Sequence, residues 1–359
     1  MKKLIALGFA CVAFGQHSTE APAPAVKPAE QVYKNIVELK GIPADQVGPA
    51  MQFIAASLGV NCEFCHVQGK FEADDKGAKK TARNMIAMQN MINKNSFGGR
   101  TQVTCNTCHR GAARPVAVPA VLESDAAPTP PAAMTPPAGG ASAPTVDQIL
   151  ERWVTAVGGA DAMHKVTSRA MKGVQSAGGR ETPIEVLTKA PNKRVTIVHS
   201  PNGESFTAFD GTAGWMGNTG RPAREMSAAE SAAYAVDSAF YLPLQIKEMY
   251  PQLRRGRPET VNGVECEVLN GTAPGKPAVR LYFDKSTGLL TRLMRFADTP
   301  LGRMPTQIDY ADYKSLNVMI PLRWTLSRPN GRFTIRIQDV QMNTAIDDAR
   351  FAKPAGEVK

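Results

Sequence analysis

The residues best suited to chemistry lie in two short segments that each read Cys-x-x-Cys-His. In the first segment, Cys62 and Cys65 are followed at once by His66. Two thiols at this spacing can add to the two vinyl groups of a haem, and the adjacent imidazole can then bind the iron as an axial ligand. The first segment therefore predicts one covalently attached haem c.

The second segment repeats the pattern with Cys105, Cys108 and His109. A redox-active dithiol or half of a zinc site would also use a Cys-x-x-Cys pair, but neither requires a histidine directly after the pair, twice. Four of the six cysteines lie in these two segments, and Cys11 and Cys266 do not suit a disulfide framework. We therefore expect two haems c with their irons, each held by its own pair of thioether bonds.

Each haem iron needs a ligand on its other face, and methionine is the candidate. His17, His164 and His199 lie outside the segment that carries the motifs. The methionines inside it are Met51, Met85, Met88 and Met91. Thioether sulfur is a soft ligand, and His/Met ligation raises the potential of the iron. Met51 is the one candidate in its predicted helix, and the next helix offers Met85 or Met88. The alternative is that these methionines fill the core.

Three helices are predicted around the two motifs. One covers residues 29–40 and ends at Gly41, a second begins near Asp45 and ends at Gly59, and a third covers residues 78–93. The second and third helices each lead through a turn into a Cys-x-x-Cys-His motif. The sequence thus predicts a small all-α dihaem domain. The inward stripe of the third helix is predicted at Thr81, Met85, Met88 and Ile92.

The N-terminus has the composition of an export signal. Two lysines precede a short apolar run that ends in small residues, which predicts a signal peptide over residues 1–15. Because the signal is removed after export, the mature protein would begin at Gln16 in the periplasm. Residues 16–29 are predicted to be a flexible segment. A lipid on Cys11 is the alternative, and it would place the protein on a membrane.

The composition indicates more than one domain. The chain has 359 residues, of which 43% are hydrophobic, and a formal net charge of +10. Its basic residues are scattered, without a run of five or interleaved aromatic residues, so no nucleic-acid partner is expected. Residues 30–111 form the predicted dihaem domain. Residues 112–144 are rich in Ala and Pro and predict a semi-rigid linker, and residues 145–359 form a second domain.

The second domain shows the period of β-strands. Polar and apolar residues alternate over residues 194–198, 280–283 and 332–337, and residues 284–288 predict a hairpin turn. An amphipathic helix is predicted over residues 146–157. These elements predict an α+β domain with a curved antiparallel sheet packed on helices.

Cys266 lies within one of the alternating stretches of the second domain. Val264, Cys266 and Val268 share one face of this predicted strand. A thiol between two valines behaves as a small apolar side chain. We therefore expect Cys266 to be buried and inert.

Several segments of the N-terminal half resemble one known family. They are Lys34-Asn35-Ile36, residues 39–43, the pattern Met85-x-x-Met88-x-x-x-Ile92-Asn93, and residues 103–111. Over about residues 30–115 the chain resembles the cytochrome c subunit of photosynthetic reaction centres. In that family each haem follows a helix whose methionine is the sixth ligand, which implies Met51 for the first haem and Met85 for the second. The family's full subunit carries four haems, whereas this chain has motifs for two.

The second domain resembles the lipoprotein-carrier and outer-membrane lipoprotein-sorting proteins. The resemblance is carried by residues 189–193, residues 209–215 and the hairpin over residues 283–290. It implies an unclosed β-barrel around helices, with an apolar interior that can hold an acyl chain. A β-rich spacer or interaction domain is the alternative, because a fold does not fix a function.

These observations predict a periplasmic dihaem electron carrier that exchanges electrons with periplasmic or membrane-bound redox proteins. The sequence offers no acid or base for catalysis beyond the two motifs, so we expect an electron carrier rather than an enzyme. Two alternatives remain: a dihaem peroxidase, which needs an open iron face, and a carrier or sensor of an apolar ligand or lipid in the C-terminal domain.

Overall fold

The structure is a computed structural model that describes residues 26–115, 143–329 and 331–353. The predicted signal peptide, Cys11, His17 and most of the predicted linker lie outside these residues. The described part begins with helices and continues into a large antiparallel sheet with further helices. In that part, no helix combines the length and the apolar character needed to span a bilayer.

Eight α-helices are present among the described residues. Four lie in the N-terminal part: α1 Ala29–Val32, α2 Val47–Leu58, α3 Gly77–Phe97 and α4 Cys105–His109. Four lie in the C-terminal part: α5 Val146–Ala156, α6 Ala160–His164, α7 Ala228–Ser238 and α8 Leu242–Met249. Short 3-10 turns occur at Ala44–Gln46, Cys62–Phe64 and Asp348–Arg350.

The helix predicted over residues 29–40 is wrong, because α1 ends at Val32. Asn35 has a φ of 59°, which is incompatible with a continuing right-handed helix. Its side chain donates to the backbone carbonyl of Glu72 at 2.6 Å and to Asp74 at 3.0 Å. These long-range hydrogen bonds hold the chain in a loop, although its local sequence favours a helix.

The second and third helices form close to their predicted places. α2 ends at Gly59, as predicted, where a φ of 66° suits glycine. α3 runs past the predicted end at residue 93, because the left-handed cap is supplied by Gly98 (φ 60°). The helix is therefore about one turn longer than its apolar pattern suggests.

The inward stripe predicted along α3 is wrong in its orientation. Met85 and Met88 are 38% and 40% exposed. Polar side chains take most of the buried positions because they hydrogen-bond groups in neighbouring loops, which hydrophobic periodicity does not register. The residues that α3 buries are Lys79, Ile86, Gln89 and Asn93.

Fourteen strands form one antiparallel sheet in the described C-terminal part. In chain order they are β1 Ser168–Ala177, β2 Arg180–Lys189, β3 Lys193–Ser200, β4 Gly203–Phe209, β5 Gly214–Asn218, β6 Arg224–Glu225, β7 Arg254–Arg255, β8 Glu259–Val261, β9 Val264–Gly271, β10 Ala278–Asp284, β11 Leu290–Thr299, β12 Gly302–Leu316, β13 Val318–Arg328 and β14 Gly331–Met342. The spatial order is β6-β5-β4-β3-β2-β1-β14-β13-β12-β11-β10-β9-β7, and β8 pairs with β9. Since β6 and β7 end the order, the sheet is unclosed.

The predicted strands and helix of this part are confirmed. The three alternating stretches lie in β3, β10 and β14, and the predicted helix is α5. The predicted hairpin turn connects β10 to β11, where the Asp284 carboxylate accepts hydrogen bonds from the backbone of Ser286 at 2.7 Å and from the hydroxyl of Thr287 at 2.9 Å. Cys266 is fully buried, as predicted.

The main core lies between the sheet and the helices that cover one of its faces. Trp153 of α5 packs against Phe283 of β10, with ring centroids 5.1 Å apart. Ile246 and Tyr250, at the end of α8, are completely buried in the same cluster. The helices thereby hold the sheet in a curved form with a concave inner side.

A smaller apolar cluster joins the N-terminal helices to the sheet. Phe53 and Ile54 of α2 pack with Leu301 and Met304 from the β11–β12 hairpin, and all four are buried. A side chain at Gly302 would collide with the Phe53 ring, so the hairpin backbone approaches α2 closely. The helical part therefore rests on one hairpin of the sheet.

Candidate functional site

The first Cys-x-x-Cys-His motif forms a tight 3-10 turn directly after α2. The side chain of Asn61 accepts a hydrogen bond from the backbone N–H of Phe64 at 3.1 Å and caps this turn. The backbone N–H of His66 donates to the carbonyl of Cys62 at 3.0 Å. Cys62 is exposed and Cys65 is half-buried. The turn thus presents both thiols and the imidazole within one short stretch of chain.

The second motif is the single helical turn α4. Thr104 and Thr107 form a reciprocal capping box at its start, and Arg110 ends it with a φ of 47°. Cys105 is half-buried and Cys108 is exposed. The two motifs therefore share a construction in which a capped turn carries one half-buried and one exposed thiol.

The two histidines of the motifs are oriented in the same way. Nδ1 of His66 lies 2.8 Å from the carbonyl oxygen of Phe71, and Nδ1 of His109 lies 2.9 Å from that of Ala112. Because a carbonyl oxygen only accepts, each Nδ1 carries the proton and donates it. Each Nε2 is then left with a lone pair. This is the tautomer that a metal-binding histidine adopts when a backbone carbonyl orients it.

The half-buried thiols are poor thiolates. Burial raises the pKa of Cys65, although Lys76 opposes the shift, and burial also raises the pKa of Cys105. The Cys105 thiol donates to Oε1 of Gln89 at 3.2 Å. Redox-active dithiols and zinc ligands need a lowered thiol pKa, so these surroundings do not favour either alternative.

The loop after the first motif is organised by Lys79, which sequence reasoning missed. Its ammonium is buried and donates to the carbonyls of Phe71, Glu72 and Ala73 at 2.9, 2.9 and 2.8 Å. The Phe71 carbonyl is also the acceptor for Nδ1 of His66. Lys79 therefore holds the group that orients this imidazole. A buried lysine is visible only once the loop is folded against α3.

The second motif is anchored by Asn93, which sequence reasoning also missed as a structural residue. Its side chain donates to the Val103 carbonyl at 2.7 Å and accepts from the backbone N–H groups of Gln102 and Val103 at 3.1 and 2.9 Å. The end of the motif also meets α2, because the Gly111 N–H donates to the Ser57 carbonyl at 2.8 Å. Both motifs thus belong to one packed unit.

Apolar side chains are unusually exposed around the two motifs. In the described part of the chain, all the large exposed hydrophobic residues except Met216 lie between residues 26 and 91. Those nearest to the motifs in sequence are Phe64, Phe71, Met85, Met88 and Met91, with exposures of 38–58%. A concentration of apolar surface on so small a unit marks a place where an apolar group is bound. The thiols, the imidazoles and this surface together fit a haem.

The predicted methionine ligands lie on two different helices. Met51 of α2 is half-buried against the Phe53 cluster, and Met85 of α3 is partly exposed. Gln89 marks the side of α3 that faces Cys105. At 3.6 residues per turn, Met85 lies about 40° from Gln89 around the helix and Met88 about 100° away. His164 and His199, which were not expected to be ligands, lie in the sheet-containing part.

The concave side of the sheet encloses a second candidate site. A cavity of about 1610 Å³ lies between the sheet, α7 and the N-terminal part of the chain. Its walls include Trp153, Phe240 and Trp324, and Tyr33 and Gln52 from the helical part lie at its edge. Pockets for small ligands usually measure about 300–1,000 Å³, so this one is large enough for a lipid-sized molecule.

Comparison with known proteins confirms the resemblance found in the sequence. The sequence model of the photosynthetic reaction centre cytochrome C subunit family matches residues 12–144 of this chain. The photosynthetic reaction center cytochrome c subunit of Thermochromatium tepidum is 32% identical over 87 residues, which are 23% of this chain and 22% of that protein. Cytochrome c-554 of Chloroflexus aurantiacus is 32% identical over 92 residues, again 23% and 22% of the two chains. The chain thus spans about a fifth of the length of these relatives.

The sheet-containing part has its own structural neighbours. A LolA superfamily protein from Nitrosomonas europaea matches 59% of this chain and 99% of its own, with a TM-score of 0.41 and 14% sequence identity.

Proposed function

We propose that residues 30–111 form a dihaem c-type cytochrome domain that transfers single electrons. The observation that carries this proposal is that both motif histidines donate Nδ1–H to a backbone carbonyl. Each imidazole then presents the lone pair of Nε2 for an iron, next to two thiols. The similarity to reaction-centre cytochrome c subunits supports the same function.

The residues of the two motifs have distinct roles in this proposal. Cys62 and Cys65 hold the first haem and Cys105 and Cys108 the second, through thioether bonds. His66 and His109 are the axial ligands. When bound, each haem supplies an iron that cycles between Fe(II) and Fe(III), while the protein determines position and potential.

Met51 and Met85 are the proposed sixth ligands. Met85 is favoured over Met88 by its smaller angular distance from Gln89, the residue through which α3 contacts the second motif. With one methionine opposite the histidine of each haem, neither iron would have an open face. This favours an electron carrier over a peroxidase. The partners would be periplasmic or membrane-bound redox proteins. The protein would meet them after export and removal of the predicted signal peptide, residues 1–15.

Mass spectrometry of the denatured protein tests this proposal. Protein made in a host competent for haem attachment should exceed the mass of the polypeptide from Gln16 onward by two haems. Replacement of both Cys62 and Cys65 by Ala should remove one of them. Cys266→Ala is the control, because this thiol lies outside the motifs and should leave both haems. A mass equal to that of the bare polypeptide would refute the proposal.

A second function is proposed for the sheet-containing part, namely binding of an apolar ligand. It is supported by the large cavity on the concave side of the sheet. Organic extraction of the purified protein should release a co-purified lipid or other amphiphile. A well-packed interior without extractable material would count against this role.

A further inference from the structure

The cavity of the sheet carries an excess of positive charge on its walls. Besides Arg221 and Arg224, the arginines that line it are Arg169 on β1, Arg194 on β3, Arg295 on β11 and Arg328 on β13. Asp237, near the end of α7, is the carboxylate that lies among them. Seven cationic side chains and five carboxylates line the whole cavity, which leaves two net positive charges. Arg224 and Glu230, which also line the cavity, neutralise each other in an ion pair of 2.8 Å.

Arg295 and Arg194 have partners in the protein, and Arg328 is exposed. Arg295 forms a buried ion pair with Asp237, with 2.7 Å between Nη2 and Oδ2. Arg194 donates to the backbone carbonyl of Asp237 at 3.0 Å and stacks on the Trp324 ring at 5.2 Å. The carbonyls at the end of a helix carry partial negative charge, which stabilises a nearby cation. These two groups are therefore compensated.

Arg169 is not compensated in this way. Its guanidinium lies 4.2 Å from the centre of the Phe240 ring, and its Nε is buried without a hydrogen-bond partner. Within the described part of the chain Arg169 belongs to no ion pair, and Asp237 of the same cavity pairs with Arg295. Burial lowers the pKa of Arg169 to about 10, so the group keeps its charge at neutral pH. A desolvated charge without a counter-ion is costly, and a stacked ring offsets only part of that cost.

Unpartnered hydroxyl groups lie on the same walls. Oγ of Ser238 and Oγ1 of Thr188 are buried and have no hydrogen-bond partner, and both residues line the cavity. Buried polar atoms are normally hydrogen-bonded, and exceptions at a cavity mark positions where a ligand or water completes the bonds. A guanidinium only donates, whereas a hydroxyl can donate or accept, so an acceptor is the one kind of group that can satisfy all three.

Part of the cavity wall is apolar. Buried side chains of four strands line it, namely Met171, Ile308, Ile320 and Ile335. A ligand that matches the whole cavity therefore has an apolar part for this wall and an anionic part for Arg169. Because the guanidinium has a fork of parallel donors, a carboxylate or a phosphate monoester suits it best.

We propose that the cavity binds an amphiphile with an apolar chain and an anionic head group, with Arg169 as the counter-ion of the head group. This inference rests on the proposed ligand-binding role of the sheet and specifies the chemistry of the ligand. The head group would complete the hydrogen bonds of Arg169, Ser238 and Thr188, and the chain would extend along the strands.

Calorimetric titration of the full-length, delipidated protein tests the proposal with three probes of equal chain length. They are palmitate, hexadecyl phosphate and hexadecanol, which differ only in the head group. Both anions should bind at least about tenfold more tightly than the alcohol, because each gains a charge-assisted pair with Arg169. The stronger of the two anions identifies the preferred head group.

Arg169→Met removes the charge and keeps a side chain that can pack on Phe240. This variant should lose most of the preference for the anions, retain its affinity for hexadecanol, and unfold at a temperature no lower than that of the wild type, because an uncompensated charge has been removed. Arg323→Met is the matched control. Arg323 lies on the same sheet but is exposed and paired with Asp312, and its replacement should leave the preference intact.

The outcomes separate the two levels of the proposal. Equal affinity of the wild type for all three probes would overturn the anionic site while leaving an apolar ligand-binding role in place. Failure of all three probes to bind would overturn both. An unchanged preference in Arg169→Met would show that another group recognises the head group and would refute the assignment of Arg169.

Discussion

Replacement of Lys79 by Met tests how the fold controls the proposed first haem site. The buried ammonium of Lys79 donates to three successive backbone carbonyls, and one of them, that of Phe71, orients the imidazole of His66. Methionine has a similar length and no charge, so the variant keeps the packing and loses the hydrogen bonds. We expect lower stability and a lower potential of one haem.

The size of both effects follows from the contacts. Hydrogen bonds to a charged group contribute about 1.5–3 kcal/mol each, but the carbonyls can turn to water in the variant, so we expect a loss of about 2–4 kcal/mol in the free energy of unfolding. The hydrogen-bond path from Nζ of Lys79 through the Phe71 carbonyl to the far side of the His66 ring is about 8 Å long. At an effective dielectric constant near 20, a unit charge over this distance contributes about 2 kcal/mol.

For a one-electron couple, about 2 kcal/mol corresponds to roughly 90 mV. The expected shift is smaller, because the Asp74 carboxylate lies 3.0 Å from the same ammonium and offsets part of its charge, and because solvent screens the rest. The sign is a decrease for two reasons. The lost cation no longer favours the reduced iron. The Phe71 carbonyl, free of the ammonium, also becomes a stronger acceptor from His66 and makes the imidazole a better donor to the oxidised iron.

A spectroscopic redox titration of the loaded protein and a urea denaturation curve measure these effects. One of the two potentials should fall by tens of millivolts, and the other should stay within error. Lys80→Met is the matched control, because Lys80 is the next residue on α3 and is exposed. If Lys79→Met changes neither the potentials nor the stability, or if Lys80→Met has the same effect, the role given to Lys79 is refuted.

Three further predictions concern the same unit. Met85→Ala should remove about half of the sulfur-to-iron charge-transfer band of the ferric protein, because in the proposed ligation one of the two haems loses its methionine ligand. Asn93→Ala should lower the free energy of unfolding by about 2–3 kcal/mol in chemical denaturation, since it deletes three hydrogen bonds to the loop before the second motif. Asp74→Asn should lower the melting temperature at neutral pH. Hydrogen bonds from Arg83, Asn35 and Lys79 hold the pKa of Asp74 well below its usual value, so this stabilisation is present above about pH 4 and is lost progressively as the pH falls further.

Each of these variants has a close control. Met88 lies on the same helix as Met85 and is similarly exposed, and Met88→Ala should keep the whole charge-transfer band. If Met88→Ala loses part of the band and Met85→Ala does not, Met88 is the ligand. Asn90→Ala, on the exposed side of α3, should cost far less than Asn93→Ala. Asp75→Asn, which replaces the neighbouring exposed carboxylate, should leave the melting temperature at neutral pH close to that of the wild type. A melting-temperature difference for Asp74→Asn that is as large at pH 2 as at neutral pH would contradict the ion-pair explanation.

The sequence was most informative where function depends on residues close together in the chain. Haem attachment needs two thiols and an imidazole within five residues, so the motifs of Cys62 and Cys105 could be recognised directly. The strands that became β3, β10 and β14 were also predictable, because alternation records which side of a sheet is buried. The same periodicity misplaced the buried face of α3, because Lys79 and Asn93 are buried for their hydrogen bonds rather than for their hydrophobicity.

The sequence by itself therefore determined the two Cys-x-x-Cys-His motifs, the change from helices to strands, and the burial of Cys266. The tertiary structure decided which carbonyls orient His66 and His109, that α1 stops at Val32, and which charges share the cavity of the sheet. Arg295 and its partner Asp237 are 58 positions apart in the chain. The energy of a buried guanidinium depends on such distant neighbours and on the loss of water around it, neither of which a local pattern encodes.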